Sequence, residues 1–294
     1  MNGRRMRAFA GVGVLLVLLG AAGPGAAVAD AETALSFVRD GAVVKTLDRA
    51  GLERACRAVT VTVDDAYYGR TKHYRACPLA EVLALGFGKL DAAVAAGSDL
   101  FFRARDGYVK PAPIARVLEP GGYLAFADAD RMHGDDPGWE PIDRKQADPG
   151  PYYVVWEKPA QRDAHRYPWP YQLAAIEVAS YAEKYPHIAP TGVPEGAPAW
   201  RGFAIFRNEC IACHAVNGEG GTIGPDLNVP QSIVEYRPVE QVKAYVKNPR
   251  RFRYTSMPSH EHLSDADLDA LIAYFRAMRD RKHDPNTGAA AAAE

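Results

Sequence analysis

The sequence predicts two domains, a strand-rich mixed α+β domain followed by an all-α domain. The chain of 294 residues is too long for one small module and suits two modest domains. Short β-rich runs separated by Gly, Asp and Pro fill its first part, whereas apolar residues recur at helical spacing near its end. The composition is globular, and a formal charge of -1 gives no basis for general nucleic-acid binding.

The N-terminal segment has the three parts of a secretory signal peptide. Three arginines at positions 4, 5 and 7 precede the apolar run Ala8–Ala22, and Ala27 and Ala29 are small residues at the cleavage-critical positions. We expect residues 1–29 to be removed after Ala29 and the mature protein to be periplasmic. The alternative is an uncleaved N-terminal membrane anchor, because no charge occurs from Ala8 to Ala29.

Residues 30–185 are expected to form the strand-rich domain. Asp40-Gly41 lies between two β-rich runs and predicts a two-residue hairpin turn. A short helix is predicted over Pro78–Leu85, because proline is tolerated in a first helical turn. The predicted strands are Ser36–Val38, Ala42–Leu47, Val59–Val63, Leu100–Ala104, Tyr123–Ala127, Tyr152–Trp156 and Leu173–Tyr181.

The rest of the chain divides into a linker, a helical domain and a tail. Residues 186–198 carry a proline every four residues and are expected to be a semi-rigid linker. Residues 199–282 form the expected all-α domain, with helices over Ala199–Glu209 and Val239–Lys247 and a last helix from Ser264 whose apolar residues recur at i, i+3, i+4 and i+7. Residues 283–294 end in an alanine run and are expected to be a disordered tail.

Cys210-Ile211-Ala212-Cys213-His214 has the C-x-x-C-H spacing of covalent haem attachment. Two thiols three residues apart can each add to one haem vinyl group, and the next residue, His214, then points its imidazole at the iron. A zinc site would need a second Cys/His pair at suitable spacing, which the sequence does not show. A redox-active cysteine pair would normally open a helix after a strand. The motif therefore predicts one covalently bound haem c.

With its flanks, the segment from about Pro198 to Arg281 resembles a class I monohaem cytochrome c. The resemblance implies that Gly202 and Phe206 of the first helix cross Leu271 and Tyr274 of the last helix.

The same resemblance implies the residues that bind the iron. The Pro225 carbonyl would orient His214 as the proximal ligand, and Met257, which precedes a proline, would be the distal ligand. His260 and His262 are rival distal ligands. Because both axial positions are filled, the expected work is outer-sphere, one-electron transfer between redox partner proteins, such as a membrane respiratory complex or a periplasmic dehydrogenase.

The order of elements in residues 30–185 resembles the molybdopterin-binding fold of the sulfite-oxidase superfamily. The segments that carry the resemblance are Tyr74–Leu79, Phe101–Tyr108, Gly150–Trp156 and Pro168–Gln172. Catalytic members bind molybdenum through a cysteine thiolate, but Val61–Arg75 contains no cysteine. The sequence therefore argues against bound molybdopterin and favours a docking or positioning module. Cys56 and Cys77 either form a disulfide or remain separate thiols.

Two other functions stay open at this point. The chain could be a sulfite dehydrogenase-like molybdenum oxidoreductase that passes electrons to its own haem. It could also be a haem-based sensor in which Met257 does not bind and a gas ligand enters. A basic cluster would steer an acidic partner, pair with the haem propionates or simply be solvated; its members are Lys243, Lys247, Arg250, Arg251 and Arg253.

Overall fold

The computed structural model describes residues 33–90, 92–142 and 146–287. The expected signal peptide, residues 1–29, and residues 288–294 of the expected tail lie outside the described residues. Among the helices that are described, none is both long enough and apolar enough to cross a bilayer.

Residues 35–179 form two β-sheets with short helices between the strands. The larger sheet has the strand order β2-β1-β9-β5-β6, in which only the β1–β9 pair is parallel, and the smaller sheet has the order β3-β4-β7-β8. The strands are β1 (Leu35–Arg39), β2 (Ala42–Leu47), β3 (Val59–Asp64), β4 (Thr71–Pro78), β5 (Asp99–Ala104), β6 (Val109–Pro113), β7 (Gly122–Asp128), β8 (Tyr153–Trp156) and β9 (Leu173–Ala179). The helices are α1 (Arg49–Ala55), α2 (Leu79–Phe87), α3 (Ala92–Gly97), α4 (Ile114–Val117) and α5 (Tyr181–Lys184).

The predicted hairpin turn is present between β1 and β2. Asp40 and Gly41 have φ angles of 49° and 79°, so both central residues are left-handed. A two-residue turn of this kind matches the right-handed twist of the strands it joins, which is why Asp-Gly is favoured there. The seven predicted strands are present with small shifts of their ends. The structure adds β4 and β6, which the sequence does not predict.

A buried lysine lies in the smaller sheet. Lys72 of β4 is fully buried, and its Nζ lies 2.6 Å from Asp128 Oδ2 and 2.9 Å from Glu140 Oε2. The two carboxylates compensate the charge, because an ammonium group without partners would lose its hydration at a cost of several kcal/mol.

The C-terminal region is helical. Its helices are α6 (Pro198–Ile205), α7 (Ile233–Tyr236), α8 (Val239–Lys247) and α9 (Asp265–Arg279), and a π-turn over Phe206–Cys210 continues α6. Helix α6 crosses α9 at Gly202, where a Cβ atom would overlap the Ala270 carbonyl. Only glycine allows this approach, and it brings the rings of Phe206 and Tyr274 to 5.3 Å.

The helical region and the strand-rich region share a hydrophobic cluster. Phe101 of β5 and Ile188 are fully buried together with Phe206 and Tyr274. The Tyr274 hydroxyl donates to the Ile188 carbonyl at 2.8 Å. Part of segment 186–198 therefore packs against α9 and helps to form the core of the helical region.

Cys56 and Cys77 form a disulfide that closes a loop with a sequence separation of 21. We expect the double substitution Cys56→Ala with Cys77→Ala to lower the free energy of unfolding by about 3 kcal/mol, because the unfolded chain loses this constraint. Urea denaturation followed by tryptophan fluorescence measures the change. Reductant should reduce the stability of the unsubstituted protein and leave the double variant unaffected. Equal urea midpoints for the two proteins under oxidising conditions would contradict the expectation.

Candidate functional site

The C-x-x-C-H motif begins at Cys210, the last residue of the π-turn that continues α6, and runs through the turn that follows. The Ile211 amide donates to the Phe206 carbonyl at 2.9 Å, and the amides of Cys213 and His214 both donate to the Cys210 carbonyl. This tight turn carries both thiols and the imidazole within five residues, and the two cysteines form no disulfide with each other. Burial raises the pKa of the Cys210 thiol to about 12 and that of Cys213 to about 11, so both are protonated near neutral pH.

His214 is held by a loop that folds back over the motif. The Gly221 amide donates to the Ile211 carbonyl at 2.8 Å, and the Gly224 amide donates to the Cys213 carbonyl at 2.7 Å. These bonds carry the Pro225 carbonyl to 2.9 Å from His214 Nδ1. Because a carbonyl only accepts, Nδ1 carries the proton and Nε2 keeps its lone pair.

The surroundings of His214 favour its neutral form. A Cβ atom at Gly224 would overlap the imidazole ring, so the glycine lets the loop lie flat against it. Burial lowers the pKa of His214, an effect that the bond to Pro225 opposes. A neutral imidazole with a free Nε2 is the form that binds a metal ion.

Met257 is half-buried and packs against the helical cluster. Its amide donates to Thr255 Oγ1 at 3.1 Å. The Nε2 atoms of the rival distal ligands, His260 and His262, are 4.0 and 3.4 Å from Glu209 Oε2. Their imidazole nitrogens therefore face a carboxylate.

These residues fit a covalently bound haem. Cys210 and Cys213 are free thiols at the required spacing, and His214 offers an oriented imidazole nitrogen. Met257 offers a soft thioether, which binds iron without adding charge.

A hairpin of the strand-rich region covers the backbone of the motif. The Val109 amide, at the start of β6, donates to the Ala212 carbonyl at 3.0 Å, and the Thr222 amide donates to the Gly107 carbonyl at 3.1 Å. Lys110 Nζ donates to the Asn208 carbonyl at 3.0 Å. The sequence marks Asp106-Gly107 only as a turn and gives no sign of this contact, because the bonds join backbone groups distant along the chain.

Arg207 of the π-turn makes a second contact between the two regions. Its guanidinium lies 3.6 Å from the centroid of the Tyr181 ring and 3.4 Å from Asp99 Oδ2. The strand-rich region is thereby held against the turn that carries Cys210.

The basic cluster divides into two parts. Lys243 forms ion pairs with Glu240 and Asp269, and Lys247 pairs with Asp265 at 2.6 Å. The second part is the segment shortly before Met257, which exposes three arginines and two aromatic residues. They are Arg250, Arg251, Phe252, Arg253 and Tyr254. We call this exposed part the arginine loop.

Comparison with known proteins bears on the helical region. Residues 199–279 match the family model of cytochrome c. The chain is similar to cytochrome c oxidase subunit 2 of Alkalihalophilus pseudofirmus, with 32% identity over 29% of this chain and 27% of that protein. It is also similar to lupanine 17-hydroxylase (cytochrome c) of a Pseudomonas species, with 41% identity over 28% of this chain and 11% of that protein. A third relative is thiosulfate dehydrogenase of Thiomonas intermedia, with 34% identity over 31% of this chain and 30% of that protein.

The matches cover less than a third of each relative, so they identify a domain and leave the activity of the whole chain open. The family model does not extend into the strand-rich region, whose likeness to the molybdopterin-binding fold stays a prediction. The C-terminal helical region is a cytochrome c domain, and haem c is the cofactor that such a domain implies.

Proposed function

We propose that the chain is an exported monohaem cytochrome c that carries one electron between redox proteins. The observation that carries this proposal is the hydrogen bond from His214 Nδ1 to the Pro225 carbonyl. His214 directly follows Cys213, which is a free thiol, as is Cys210. The bond orients the imidazole toward a metal ion, and a zinc site would need a second Cys/His pair at suitable spacing, which the sequence does not show. In this proposal Cys210 and Cys213 hold the haem covalently, and His214 and Met257 are the axial ligands.

Bound haem c supplies a reversible one-electron couple at its iron. The chain sets the conditions for that couple. The Pro225 carbonyl fixes the ring of His214 and raises the basicity of its Nε2. The thioether of Met257 favours the reduced iron and so raises the reduction potential. Because His214 and Met257 would both bind the iron, the group would exchange electrons only, and the chain would need no substrate pocket at the iron.

The arginine loop is the surface that we propose for docking. It lies three residues before Met257 and presents guanidinium groups together with exposed aromatic rings. Positive charge at this place would attract an acidic partner and speed the encounter. Relatives named as an oxidase subunit and as a dehydrogenase support a respiratory oxidase or a dehydrogenase as the partner class.

The strand-rich region acts in this proposal as a positioning module. Its hairpin and the contact of Tyr181 with Arg207 hold it against the C-x-x-C segment. Cys56 and Cys77 are bonded to each other, so neither offers a thiolate to molybdenum. This arrangement supports a role in docking over catalysis at molybdenum, and metal analysis of the purified protein tests it: about one molybdenum per haem would overturn the proposal.

Met257→Ala removes the proposed distal ligand. We expect the reduction potential to fall by on the order of 0.1 V, within the ~0.8 V span over which axial ligands tune haem proteins. We also expect the iron to become high-spin and, when reduced, to bind carbon monoxide. Potentiometry and absorption spectra measure both effects, and Met132→Ala on the exposed surface serves as the control. A wild-type protein that itself binds carbon monoxide readily would favour the sensor function instead.

Cys210→Ala with Cys213→Ala removes both proposed thioether bonds. We expect acid-acetone to extract all haem from this variant and none from the wild-type protein. The matched control is Cys56→Ala with Cys77→Ala, which removes the other cysteine pair and should retain covalent haem. Haem that stays on the Cys210/Cys213 variant after extraction would refute the assignment.

Arg207→Ala removes the ion pair with Asp99 and the contact with Tyr181. We expect a loss of about 1 kcal/mol in the free energy of unfolding, because a partly exposed cation–π contact is lost together with a partly exposed ion pair. Arg250→Ala, in the exposed arginine loop, is the control and should leave stability unchanged. Urea denaturation compares the two variants, and equal midpoints would contradict a structural role for Arg207.

A further inference from the structure

Two histidines and a glutamate meet where the strand-rich region faces the cytochrome c domain. His165 lies in the loop between a 3-10 turn (Pro159–Gln161) and β9. Glu209 lies in the π-turn directly before Cys210, and His262 lies in the loop between Met257 and α9. Three segments that are distant in the sequence thus contribute one side chain each.

The imidazoles of His165 and His262 both lie close to one carboxylate oxygen of Glu209. His165 Nδ1 lies 2.9 Å from Glu209 Oε2, and His262 Nε2 lies 3.4 Å from the same oxygen. The centroids of the two imidazole rings are 4.7 Å apart. One nitrogen or oxygen atom from each residue lies within 4.8 Å of the other two.

The hydrogen bond between His165 and Glu209 accounts for only part of this arrangement. It does not account for the second imidazole, that of His262, whose Nε2 lies 3.4 Å from the same oxygen. If both rings were protonated, their positive charges would repel each other at this separation. A divalent cation at the centre could bind all three side chains, because each offers one ligand atom and these atoms lie within 4.8 Å of one another.

The donor set fits a transition metal ion of the zinc class. Two imidazole nitrogens and a carboxylate oxygen form a common zinc site, with Zn–N and Zn–O distances of about 2.0–2.2 Å and a fourth position for water. Ligand atoms of such a tetrahedral site lie roughly 3.3 Å apart. The distances from Glu209 Oε2 already have this scale, and the two imidazole nitrogens lie within 4.8 Å of each other.

Access and charge also suit an ion. The side chains of His165 and His262 are 51% and 46% exposed, whereas that of Glu209 is 13% exposed. An ion can therefore enter from solvent and reach a partly desolvated carboxylate. The neighbouring cation Lys110 is already engaged with the Asn208 carbonyl. Behind the group, buried His260 lies with Nε2 4.0 Å from Glu209 Oε2.

We infer that His165, Glu209 and His262 form a binding site for one divalent transition metal ion, of which Zn²⁺ fits best. The ion fastens the strand-rich region to the segment before Cys210 and to the loop that follows Met257. It is separate from the haem ligands and does not depend on the proposed electron transfer.

The test is zinc binding by the tag-free, full-length holoprotein, with ZnCl₂ as the probe. Equilibrium dialysis with metal analysis should give one Zn²⁺ per chain. His165→Ala, His262→Ala and Glu209→Gln should each weaken binding at least tenfold. The matched control is His187→Ala, because His187 also pairs with a glutamate, Glu219, at 2.6 Å but lies outside the group. This variant should bind Zn²⁺ like the wild-type protein.

A second measurement separates binding from damage to the fold. Without zinc, the three variants should keep the Soret band and far-UV spectrum of the wild-type protein. With zinc, only the wild-type protein and the His187→Ala control should gain in urea midpoint, because a ligand stabilises the state that binds it. Wild-type affinity in His165→Ala or His262→Ala, or wild-type binding no tighter than that of the three variants, would overturn the proposal.

Discussion

The orientation of one imidazole ring is the constraint on which the rest of the cytochrome c domain depends. The Pro225 carbonyl holds Nδ1 of His214, the proposed iron ligand, at 2.9 Å and so fixes the direction in which Nε2 points. That carbonyl reaches the ring because Gly221 and Gly224 bring their loop onto the backbone of the C-x-x-C segment. The segment in turn is placed by α6, whose position is set by its crossing with α9 at Gly202. The helices of this domain thus act together to aim a single nitrogen atom.

The strand-rich region belongs to the environment of that site. Phe101 of β5 is buried among the helices. The amide of Val109, the first residue of β6, donates a hydrogen bond to the carbonyl of Ala212, which lies within the C-x-x-C segment itself. Arg207 adds a contact on the same side, close to Cys210. The expectation of two domains separated by a semi-rigid linker does not include these contacts. They hold the strand-rich region against the C-x-x-C segment, which is compatible with the proposed role of a positioning module.

Local features of the sequence could predict much of this structure. Asp40-Gly41 predicts its hairpin because the turn geometry depends on two residues alone. The spacing of Cys210, Cys213 and His214 is local as well. Strand β6 could not be predicted, because Pro111 and Pro113 disfavour a strand unless it lies at the edge of a sheet, as β6 does. The meeting of His165, Glu209 and His262 depends on tertiary packing, and no pattern along the chain signals it.

The hairpin over the C-x-x-C segment has a consequence for biogenesis. Enzymes that join haem to cysteine thiols need the two sulfurs and the intervening backbone to be accessible, yet here the Ala212 carbonyl is already taken by Val109. Residues 99–113 are synthesised about a hundred residues earlier, so they are available to close over the motif as soon as it emerges. If haem is joined to Cys210 and Cys213 as proposed, cofactor loading would have to precede closure of this hairpin over Ala212.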